Sequence, residues 1–503
     1  MLIRGHTFLR LLAAGALGLA AECAAAQVSD PAYAPNAWLN IAPGADHTEL
    51  ALSWATLHQD LVGWSVPTLD DVLAAPGSTT SYLLPVPEVQ IVKLKKGEDP
   101  LSINFATDSR TQIFYGVSLE SYSTQAGVTG AAGWYQNKVT VTGLKASSTY
   151  AYQVGTGDPS GSGAVDWSST YNLQTQSPSA FTFIAVGDPQ LGASTGGAHE
   201  PPAQVGNVLG YDTATWQNSV SVFSGAVPNT AFVISLGDQI DETGSQANAD
   251  SQYDGYFSPL QLLGIPVATV DGNHDYGLGQ YYGYHYNLSN QSTQYGATQY
   301  GNDGDYYFKY GNTLFIMLNS NSISAATHDV FIGKALAAHP EVVWKVVCFH
   351  HSLFSAASHT FDTDILFRRA AYSAIFDKYG IDVVLSGHDH SFTRSYQMLA
   401  GVPQPQSSQT VSNGNVTVTN PTGTLYMTLD SGSGSKFYDL NSAYINSTTG
   451  AVTYPVFVAN FWQQYLPTFS AVSVTGNSFS IATYAIGSSN VLSQIDGYTI
   501  VKQ

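Results

Sequence analysis

Five short polar clusters, each directly after an apolar run, constrain this chain more than any other feature of its sequence. The apolar runs are short and rich in β-branched residues, which is typical of buried parallel strands. In open α/β sheets, ligands bind at the carboxyl ends of such strands. The sequence therefore predicts that five strands bring Asp, Asn and His side chains to one rim. In chain order the clusters are residues 187–190 (GDPQ), 237–241 (GDQID), 272–275 (GNHD), 350–351 (HH) and 387–390 (GHDH).

The side chains of these clusters are carboxylates, carboxamides and imidazoles, and none is a thiolate. Hard oxygen and imidazole donors of this kind suit Zn, Mn, Fe or Mg. A single Gly-Asp pair would indicate little, because such pairs are common in plain turns. Five clusters in succession, each after a strand-like run, favour a metal site over a set of unrelated turns.

The order of the clusters, GD…GDxxD…GNHD…H…GHxH, resembles the motif order of the calcineurin-like metallophosphoesterase superfamily. Residues 387–395 (GHDHSFTRS) are most similar to its purple-acid-phosphatase-like branch. The resemblance covers roughly residues 38–503. It implies a centre of two metal ions, which could be Fe, Mn, Zn or Mg.

The same resemblance implies a set of ligands for both ions. Asp238 would bridge the two ions, because a metal pair needs a shared carboxylate. Such a pair lowers the pKa of water to about 7, which makes hydroxide available for in-line attack on phosphorus. The remaining ligands would be Asp188 and His390 at the first ion, and Asn273, His350 and His388 at the second.

Two positions depart from the family pattern. Many metallophosphoesterases have Asp-x-His at the first motif and purple acid phosphatases have Asp-x-Gly, whereas this chain has Gln190. Purple acid phosphatases have a metal-bound Tyr three residues after the bridging Asp, where this chain has Asp241. Gln190 and Asp241 are therefore candidate ligands of the first ion. Asp241 could instead lie outside the ligand shell and accept a hydrogen bond.

Three further residues are candidates for catalysis. His274 takes the place of the family's catalytic His and could stabilise the transition state or protonate the leaving oxygen. Asp275 could orient the His274 imidazole, or it could cap the loop as a turn carboxylate. His359 lies near the place of a substrate-facing His pair in plant-type purple acid phosphatases, but it could equally be a solvated loop histidine.

The amino terminus has the pattern of a secretory signal peptide. Residues 1–26 combine a basic start (Arg4 and Arg10), a short apolar run and a small-residue cleavage site before Gln27. We therefore expect a secreted or periplasmic protein, with a loose lead-in at residues 27–37. Beyond the signal no stretch approaches about 18 continuous apolar residues, so we expect the mature chain to have no membrane association.

Residues 38–176 form the first predicted domain. Short strand-like runs, among them residues 102–106, follow one another without helical patterns between them, which predicts an all-β sandwich. Segments 143–152 and 167–175 resemble the late part of a fibronectin-type-III-like domain, which plant-type purple acid phosphatases carry before their catalytic domain. We interpret this domain as a structural module rather than as a carbohydrate-binding or adhesive one.

Residues 177–503 form the second predicted domain. Strand-like runs alternate here with helical patterns, which predicts an α/β domain with parallel strands. The resemblance implies the αββα sandwich of the metallophosphoesterases. The Ser-, Asn- and Thr-rich stretch 404–422 is predicted to be a long surface loop.

The chain is acidic, with a formal net charge of −19 at pH 7. A protein of this charge does not hold nucleic acid or anionic lipid by its overall field. The partner that we expect is a small phosphorylated substrate, which metal cations at the rim would attract locally. The sequence favours no particular oligomeric state.

The function that fits these observations is that of a secreted dinuclear-metal phosphoesterase acting on phosphomonoesters. A phosphodiesterase or a nucleotide hydrolase is the alternative within the enzyme class. From a different class, the chain could be a non-catalytic surface binding module with an inert metal site. The intact set of donors favours the enzyme.

Overall fold

The structure is a computed structural model that describes residues 37–57, 86–120, 134–157, 165–195, 207–277, 281–299, 303–405 and 408–503. The predicted signal peptide, residues 1–26, and the lead-in up to residue 36 lie outside the described residues. Within the described ranges, no helix has the length and the apolar character needed to span a membrane.

The amino-terminal part consists of strands arranged in two sheets. Its strands are β1 (Ala37–Pro43), β2 (Leu50–Leu57), β3 (Val86–Lys93), β4 (Gln112–Tyr115), β5 (Val117–Glu120), β6 (Trp134–Val141), β7 (Thr149–Gly157), β8 (Val165–Trp167) and β9 (Tyr171–Gln174). The first sheet has the order β1-β2-β6-β5. The second has the order β4-β3-β7-β8, and β9 also pairs with β7. All of these pairings are antiparallel.

The two amino-terminal sheets share one core. Leu52 and Trp54 on β2 are both buried and, as alternate residues of a strand, they point to the same face. They belong to one cluster with Val89 on β3 and Tyr152 on β7, which are strands of the other sheet. The predicted β-rich region is therefore confirmed, while its fibronectin-type-III character stays a prediction.

The prediction of a strand at residues 102–106 is wrong. A 3₁₀ helix occupies Pro100–Ser102, and turns follow it. The Asp99 side chain accepts a hydrogen bond from the Leu101 N–H, and Pro100 stands at the first helical position. Both features favour a helical turn over a strand, because proline presets φ and the cap satisfies a free N–H.

Two stacked sheets of eight strands each form the centre of the second part of the chain. Its strands are β10 (Phe181–Val186), β11 (Thr230–Ser235), β12 (Val267–Thr269), β13 (Tyr306–Tyr310), β14 (Thr313–Met317), β15 (Trp344–Cys348), β16 (Val383–Ser386), β17 (Phe392–Leu399), β18 (Val402–Pro403), β19 (Gln409–Ser412), β20 (Asn415–Thr419), β21 (Thr424–Thr428), β22 (Val458–Trp462), β23 (Thr468–Val474), β24 (Ser478–Ile486) and β25 (Leu492–Val501).

The sheets contain parallel strands at the places where the polar clusters begin. One sheet has the order β12-β11-β10-β23-β24-β25-β20-β19, with β10, β11 and β12 parallel. The other has the order β13-β14-β15-β16-β21-β17-β18, with β22 on β17 and with β14, β15, β16 and β21 parallel. The predicted clusters follow the carboxyl ends of β10, β11, β12, β15 and β16. The prediction of five strands that end at polar clusters is thus confirmed.

Aromatic side chains fill the space between the two sheets. Phe183 on β10 and Phe232 on β11 stack with ring centres 5.2 Å apart, and Phe315 on β14 meets Phe183 edge to face at 5.2 Å. All three are fully buried and belong to one core cluster. Since β10 and β14 lie in different sheets, this cluster joins the two sheets face to face.

Helices cover the outer faces of both sheets. The helices are α1 (Val208–Ala226), α2 (Gln246–Phe257), α3 (Asn273–Tyr276), α4 (Tyr281–His285), α5 (Ala325–Ala338) and α6 (Thr363–Tyr379). Trp216 on α1 packs with Val186 and Val233 on the sheet that contains β10 and β11. Tyr372 on α6 packs with Val347 on the sheet that contains β15. The layers are thus helix, sheet, sheet and helix, which is the predicted αββα sandwich.

The predicted loop at residues 404–422 contains two strands. β19 and β20 form a hairpin, and β20 pairs in parallel with β25. Asn413 and Gly414 connect them with φ angles of 50° and 79°. These angles suit a tight hairpin turn, for which Asn-Gly is a strong signal. The pairing buries Val418 completely, so this stretch is part of the sheet.

Candidate metal centre

The chain turns sharply after the strands that carry the site. Five site residues that are not glycine have φ in the left-handed region, which is costly for a residue with a Cβ. These turns aim the side chains into the space beyond the strand ends. The φ angles are 30° at Asp188, 37° at Gln190, 47° at Asp238, 72° at His388 and 37° at His390.

Hydrogen bonds hold these turns against one another. Both carboxylate oxygens of Asp188 accept from the His388 N–H at 2.9 Å, which ties the first loop to the last. The Gln190 N–H donates to the Asp238 carbonyl at 2.8 Å. Asp238 Oδ1 accepts from the His274 N–H at 2.9 Å. The four loops therefore form one network, with Asp238 near its centre.

Two carboxylates and an imidazole converge in the interior of this network. Among the described residues, ligand atoms of Asp188, Asp238 and His350 lie within 4.8 Å of one another. His350 Nε2 is 3.3 Å from Asp238 Oδ2, and His350 Nδ1 is 3.7 Å from Asp188 Oδ1. His390 Nε2 also lies 3.7 Å from Asp188 Oδ1. All four side chains are almost completely buried.

A second convergence lies beside the first. Asn273 Oδ1 is 3.0 Å from His350 Nε2 and 3.0 Å from His388 Nδ1, and these two nitrogens are 3.2 Å apart. The other nitrogen of His350, Nδ1, donates to the Leu236 carbonyl at 2.8 Å. Such a bond fixes the ring and leaves Nε2 free to offer its lone pair. The structure thus brings together all six side chains that the resemblance implies as ligands.

Asp188, Asp238 and His350 perturb one another strongly. Burial lowers the pKa of His350, but the charge of Asp238, the hydrogen bond that Asp238 accepts from the imidazole and the charge of Asp188 outweigh burial and raise it to about 9. Burial raises the pKa of Asp238, but the His350 charge and hydrogen bond bring it below its usual range. Burial and the charge of Asp238 raise the pKa of Asp188 well above its usual range, although His350 opposes this. The single positive charge of a His350 imidazolium therefore does not balance the negative charges of the buried Asp188 and Asp238 carboxylates.

The other two imidazoles favour their neutral forms. Burial, His351 and His350 lower the pKa of His388 well below its usual value. Burial and the charge of Lys436 lower the pKa of His390 to about 3. His390 Nδ1 donates to the Lys436 carbonyl at 3.0 Å, so Nε2 faces Asp188. Neutral imidazoles with one nitrogen held by a carbonyl are the form that ligates metals.

This donor set fits two divalent cations. A cation beside Asp188 and Asp238 would offset both negative charges, which the protein groups alone do not balance. Carboxylate, carboxamide and imidazole donors together suit Fe, Mn, Zn or Mg. The residues that would hold the cations are Asp188, Asp238 and His390 on one side, and Asp238, Asn273, His350 and His388 on the other.

Gln190 and Asp241, the two departures from the family pattern, contact each other. Gln190 Nε2 donates to Asp241 Oδ1 at 2.9 Å. Gln190 Oε1 is buried and has no hydrogen-bond partner, so it is free to serve as a neutral ligand. The Asp241 side chain is about 30% exposed. Their roles as ligands stay predictions.

The imidazole of His274 is oriented by Asp241. His274 Nδ1 donates to the Asp241 backbone carbonyl at 2.6 Å. Asp275, predicted to orient this ring or to cap the loop, instead accepts from the backbone N–H groups of Gln239 and Gly272 at 3.1 Å. Burial and the charge of Asp238 raise the pKa of Asp275 to about 7. The contacts of Asp275 fit the capping alternative, because its carboxylate accepts from two backbone N–H groups and from the Tyr253 hydroxyl.

His359 lies at the edge of the site. Its ring centre is 4.3 Å from that of His388, and its Nδ1 lies 2.7 Å from Asp362 Oδ2. The His359 N–H donates to Asp389 Oδ1 at 2.9 Å. Its side chain is about 29% exposed, so it can reach a molecule that enters the site.

Two residues that the sequence did not single out also reach the site. Lys436 and Tyr438 lie beyond the end of β21, in a stretch rich in Gly and Ser. Tyr438 packs against His390 with ring centres 4.9 Å apart and against His359 at 5.2 Å. The sequence feature that could have pointed to them is the buried run Thr424–Thr428, which forms β21 and is followed by an Asp and a polar loop, as in the other clusters.

A protein family and several solved structures are similar to parts of this chain. Residues 181–392 match the family described as calcineurin-like phosphoesterase. The fold resembles that of a purple acid phosphatase from yellow lupin (Lupinus luteus) seeds, with a TM-score of 0.62 and 16% identity over 93% of this chain and 74% of that one. A dimetal phosphatase from Danio rerio matches with a TM-score of 0.38 and 12% identity over 64% of this chain and 98% of that one.

A curated relative matches over a short segment. An uncharacterized protein of Mycobacterium tuberculosis (strain H37Rv) is 34% identical over 58 residues. This match spans 12% of the present chain and 11% of the relative's length.

We expect Gly237→Ala to weaken metal binding. Gly237 has φ +89°, and a Cβ there would lie 2.5 Å from His350 Nδ1, so the imidazole would have to move off the Leu236 carbonyl. Loss of such an orienting bond lowers metal affinity about 10- to 100-fold. The measurement is metal content by mass spectrometry after dialysis against limiting Mn²⁺ or Zn²⁺.

The matched control is Gly225→Ala on α1, where an added Cβ meets no atom within 4 Å. This variant should bind metal like the wild type. A folded Gly237→Ala protein with wild-type metal affinity would contradict the placement of His350.

Proposed function

We propose that this chain, whose residues 181–392 form a calcineurin-like phosphoesterase domain, is a metal-dependent hydrolase of phosphate esters. The observation that carries the proposal is the convergence of Asp188, Asp238 and His350 at the carboxyl ends of parallel strands. Asn273 and His388 extend this convergence to a second set of donors. The fold shared with a purple acid phosphatase supports the proposal.

The cations and the residues of the site would have different roles in phosphoester hydrolysis. When bound, two cations supply Lewis acidity toward the phosphoryl oxygens and a hydroxide nucleophile near neutral pH. Asp238 would hold both cations, and the network of loop hydrogen bonds fixes the other donors around it. Fixed donors in a buried site stabilise developing charge without reorganisation, which is the main source of catalysis in phosphoryl transfer.

His274 is the proposed proton donor to the leaving oxygen. Because its Nδ1–H is held by the Asp241 carbonyl, a proton for the leaving group would be carried at Nε2. Its side chain is about 24% exposed, so the ring is open to a molecule that enters the site. His359 is the second candidate for this role, because it lies over His388 at the edge of the site.

Small phosphomonoesters are the proposed substrates. The acidic chain does not attract polyanions by its overall field, so binding has to come from local cations. A phosphodiesterase or nucleotide hydrolase is the alternative enzyme. A non-catalytic binding module is the alternative outside the enzymes, and it would leave the buried donor set without a chemical use.

Removing a central ligand should abolish the activity. Asp238→Ala and Asn273→Ala should each lower phosphoester hydrolysis by about 100-fold or more, since even outer-shell partners of a metal site are worth 10- to 100-fold. The measurement is turnover of a panel of phosphomonoesters and phosphodiesters with added Mn, Zn, Fe or Mg. The panel also decides between the monoesterase and the diesterase.

Two surface variants serve as controls. Asp329→Ala removes a carboxylate that pairs with exposed Lys378, and Asn218→Ala removes a carboxamide that pairs with Asn490 on the surface. Both should keep wild-type activity. Wild-type protein with well under one metal per chain and no turnover under any metal supply would rule out the enzyme.

The role of His274 is tested by the leaving group. A residue that protonates the departing oxygen matters most when the leaving group is poor. His274→Ala should therefore slow hydrolysis of an alkyl phosphate more than that of p-nitrophenyl phosphate. The same comparison for His359→Ala shows which of the two residues is the donor, and equal losses on both substrates exclude that role for the residue tested.

We also propose that the enzyme is exported. The support is the signal-peptide pattern of residues 1–26, with its cleavage site before Gln27. Mass spectrometry of the exported protein should show a chain that begins near Gln27. An intact segment 1–26 on folded, exported protein would contradict export by signal cleavage.

A further inference from the structure

Lys436 brings a positive charge to the rim of the candidate metal centre. Its backbone carbonyl accepts the hydrogen bond from His390 Nδ1 at 3.0 Å. Two residues later, the Tyr438 N–H donates to the His390 carbonyl at 3.2 Å. The segment 436–438 is therefore fixed to a proposed metal ligand by two hydrogen bonds.

The Lys436 side chain lies beside Tyr438, whose ring contacts the site. Its Nζ lies 5.4 Å from the centre of the Tyr438 ring, and that ring packs on His390 and His359. Burial lowers the pKa of the Lys436 ammonium, but the Tyr438 hydroxyl and the negative charges of Asp241 and Asp238 outweigh burial and raise it. Both side chains are half-buried, so they line the opening rather than the core.

The positive charge of Lys436 would oppose metal binding at a site that held metal ions and no anion. Its charge already lowers the pKa of His390, and it would repel any metal cation held by Asp188 and Asp238. Within the described part of the chain, no carboxylate forms an ion pair with the Lys436 amine. The positive charge becomes favourable when an anion lies between the metals and the amine.

We propose that Lys436 binds the phosphoryl oxygens of the substrate and selects dianionic phosphomonoesters over monoanionic phosphodiesters, with Tyr438 positioning its amine. This inference rests on the proposed phosphoesterase function. The flexible stem of a lysine allows the amine to leave the Tyr438 hydroxyl and follow the phosphate. A terminal phosphate dianion carries one more negative charge and one more free oxygen than a diester, so it gains more from this ammonium.

The test compares Lys436→Met with Lys436→Arg. The methionine side chain keeps an apolar stem of similar length but has no charge, whereas the arginine keeps the charge. Calorimetry of the metal-loaded protein measures the dissociation constant of inorganic phosphate. Steady-state kinetics measure KM for p-nitrophenyl phosphate and for bis(p-nitrophenyl) phosphate.

Loss of a charge-assisted hydrogen bond should weaken phosphate binding about 10- to 100-fold in Lys436→Met. KM for the monoester should rise by a similar factor, while KM for the diester should change less. Lys436→Arg should stay near the wild type. The matched control is Lys334→Met, because Lys334 also contacts a tyrosine, with its amine 2.7 Å from the Tyr295 hydroxyl, but on the surface away from the site.

The outcomes separate this inference from the proposed function. If the wild type binds phosphate and turns over esters but Lys436→Met does both equally well, the inference is wrong and the proposed function stands. If Lys436→Met loses bound metal and not phosphate affinity, Lys436 is a structural residue and the inference is again wrong. If the wild type neither binds phosphate nor hydrolyses any ester, the proposed function itself fails and this inference with it.

Discussion

The mutual repulsion of Asp188 and Asp238 is the constraint on which the rest of the site depends. Both carboxylates are buried, and their ligand atoms converge with one imidazole within 4.8 Å. Burial of two like charges is expensive unless cations or hydrogen bonds offset them. The fold supplies part of this offset through His350 and through the N–H groups of His388 and His274. A pair of divalent cations would supply the remainder.

The stacked sheets make this concentration of charge possible. Phe183, Phe232 and Phe315 fix the two sheets face to face, so strand ends from both sheets meet at one rim. The left-handed turns at the rim are costly for residues with a Cβ, and hydrogen bonds between the loops hold them. The strain and the charge therefore lie at the same place, which is typical of a functional site in an otherwise regular fold.

The sequence predicted the strand ends and their polar residues because two local signals coincided there. Short apolar runs marked the strands, and the clusters that follow them resemble a known motif order. It did not reveal Lys436 or Tyr438, because their approach to His390 depends on the path of the chain after β21. The hydrogen-bond partner of His274 could not be predicted from the local sequence either, because Asp241 accepts from the ring through its backbone carbonyl. In residues 404–422 the Asn413-Gly414 turn was a usable signal, but the polar composition around it favoured a loop.

The proposed metal centre consists of two cations at the rim, held by Asp188, Asp238, Asn273, His350, His388 and His390. Anomalous diffraction from crystals loaded with Mn²⁺ or Zn²⁺ tests it most directly, because it locates metals without relying on activity. We predict two anomalous peaks with Asp238 between them, one flanked by Asp188 and His390 and the other by Asn273, His350 and His388. An ordered site with no anomalous peak, or with peaks only at other residues, would rule out this metal centre.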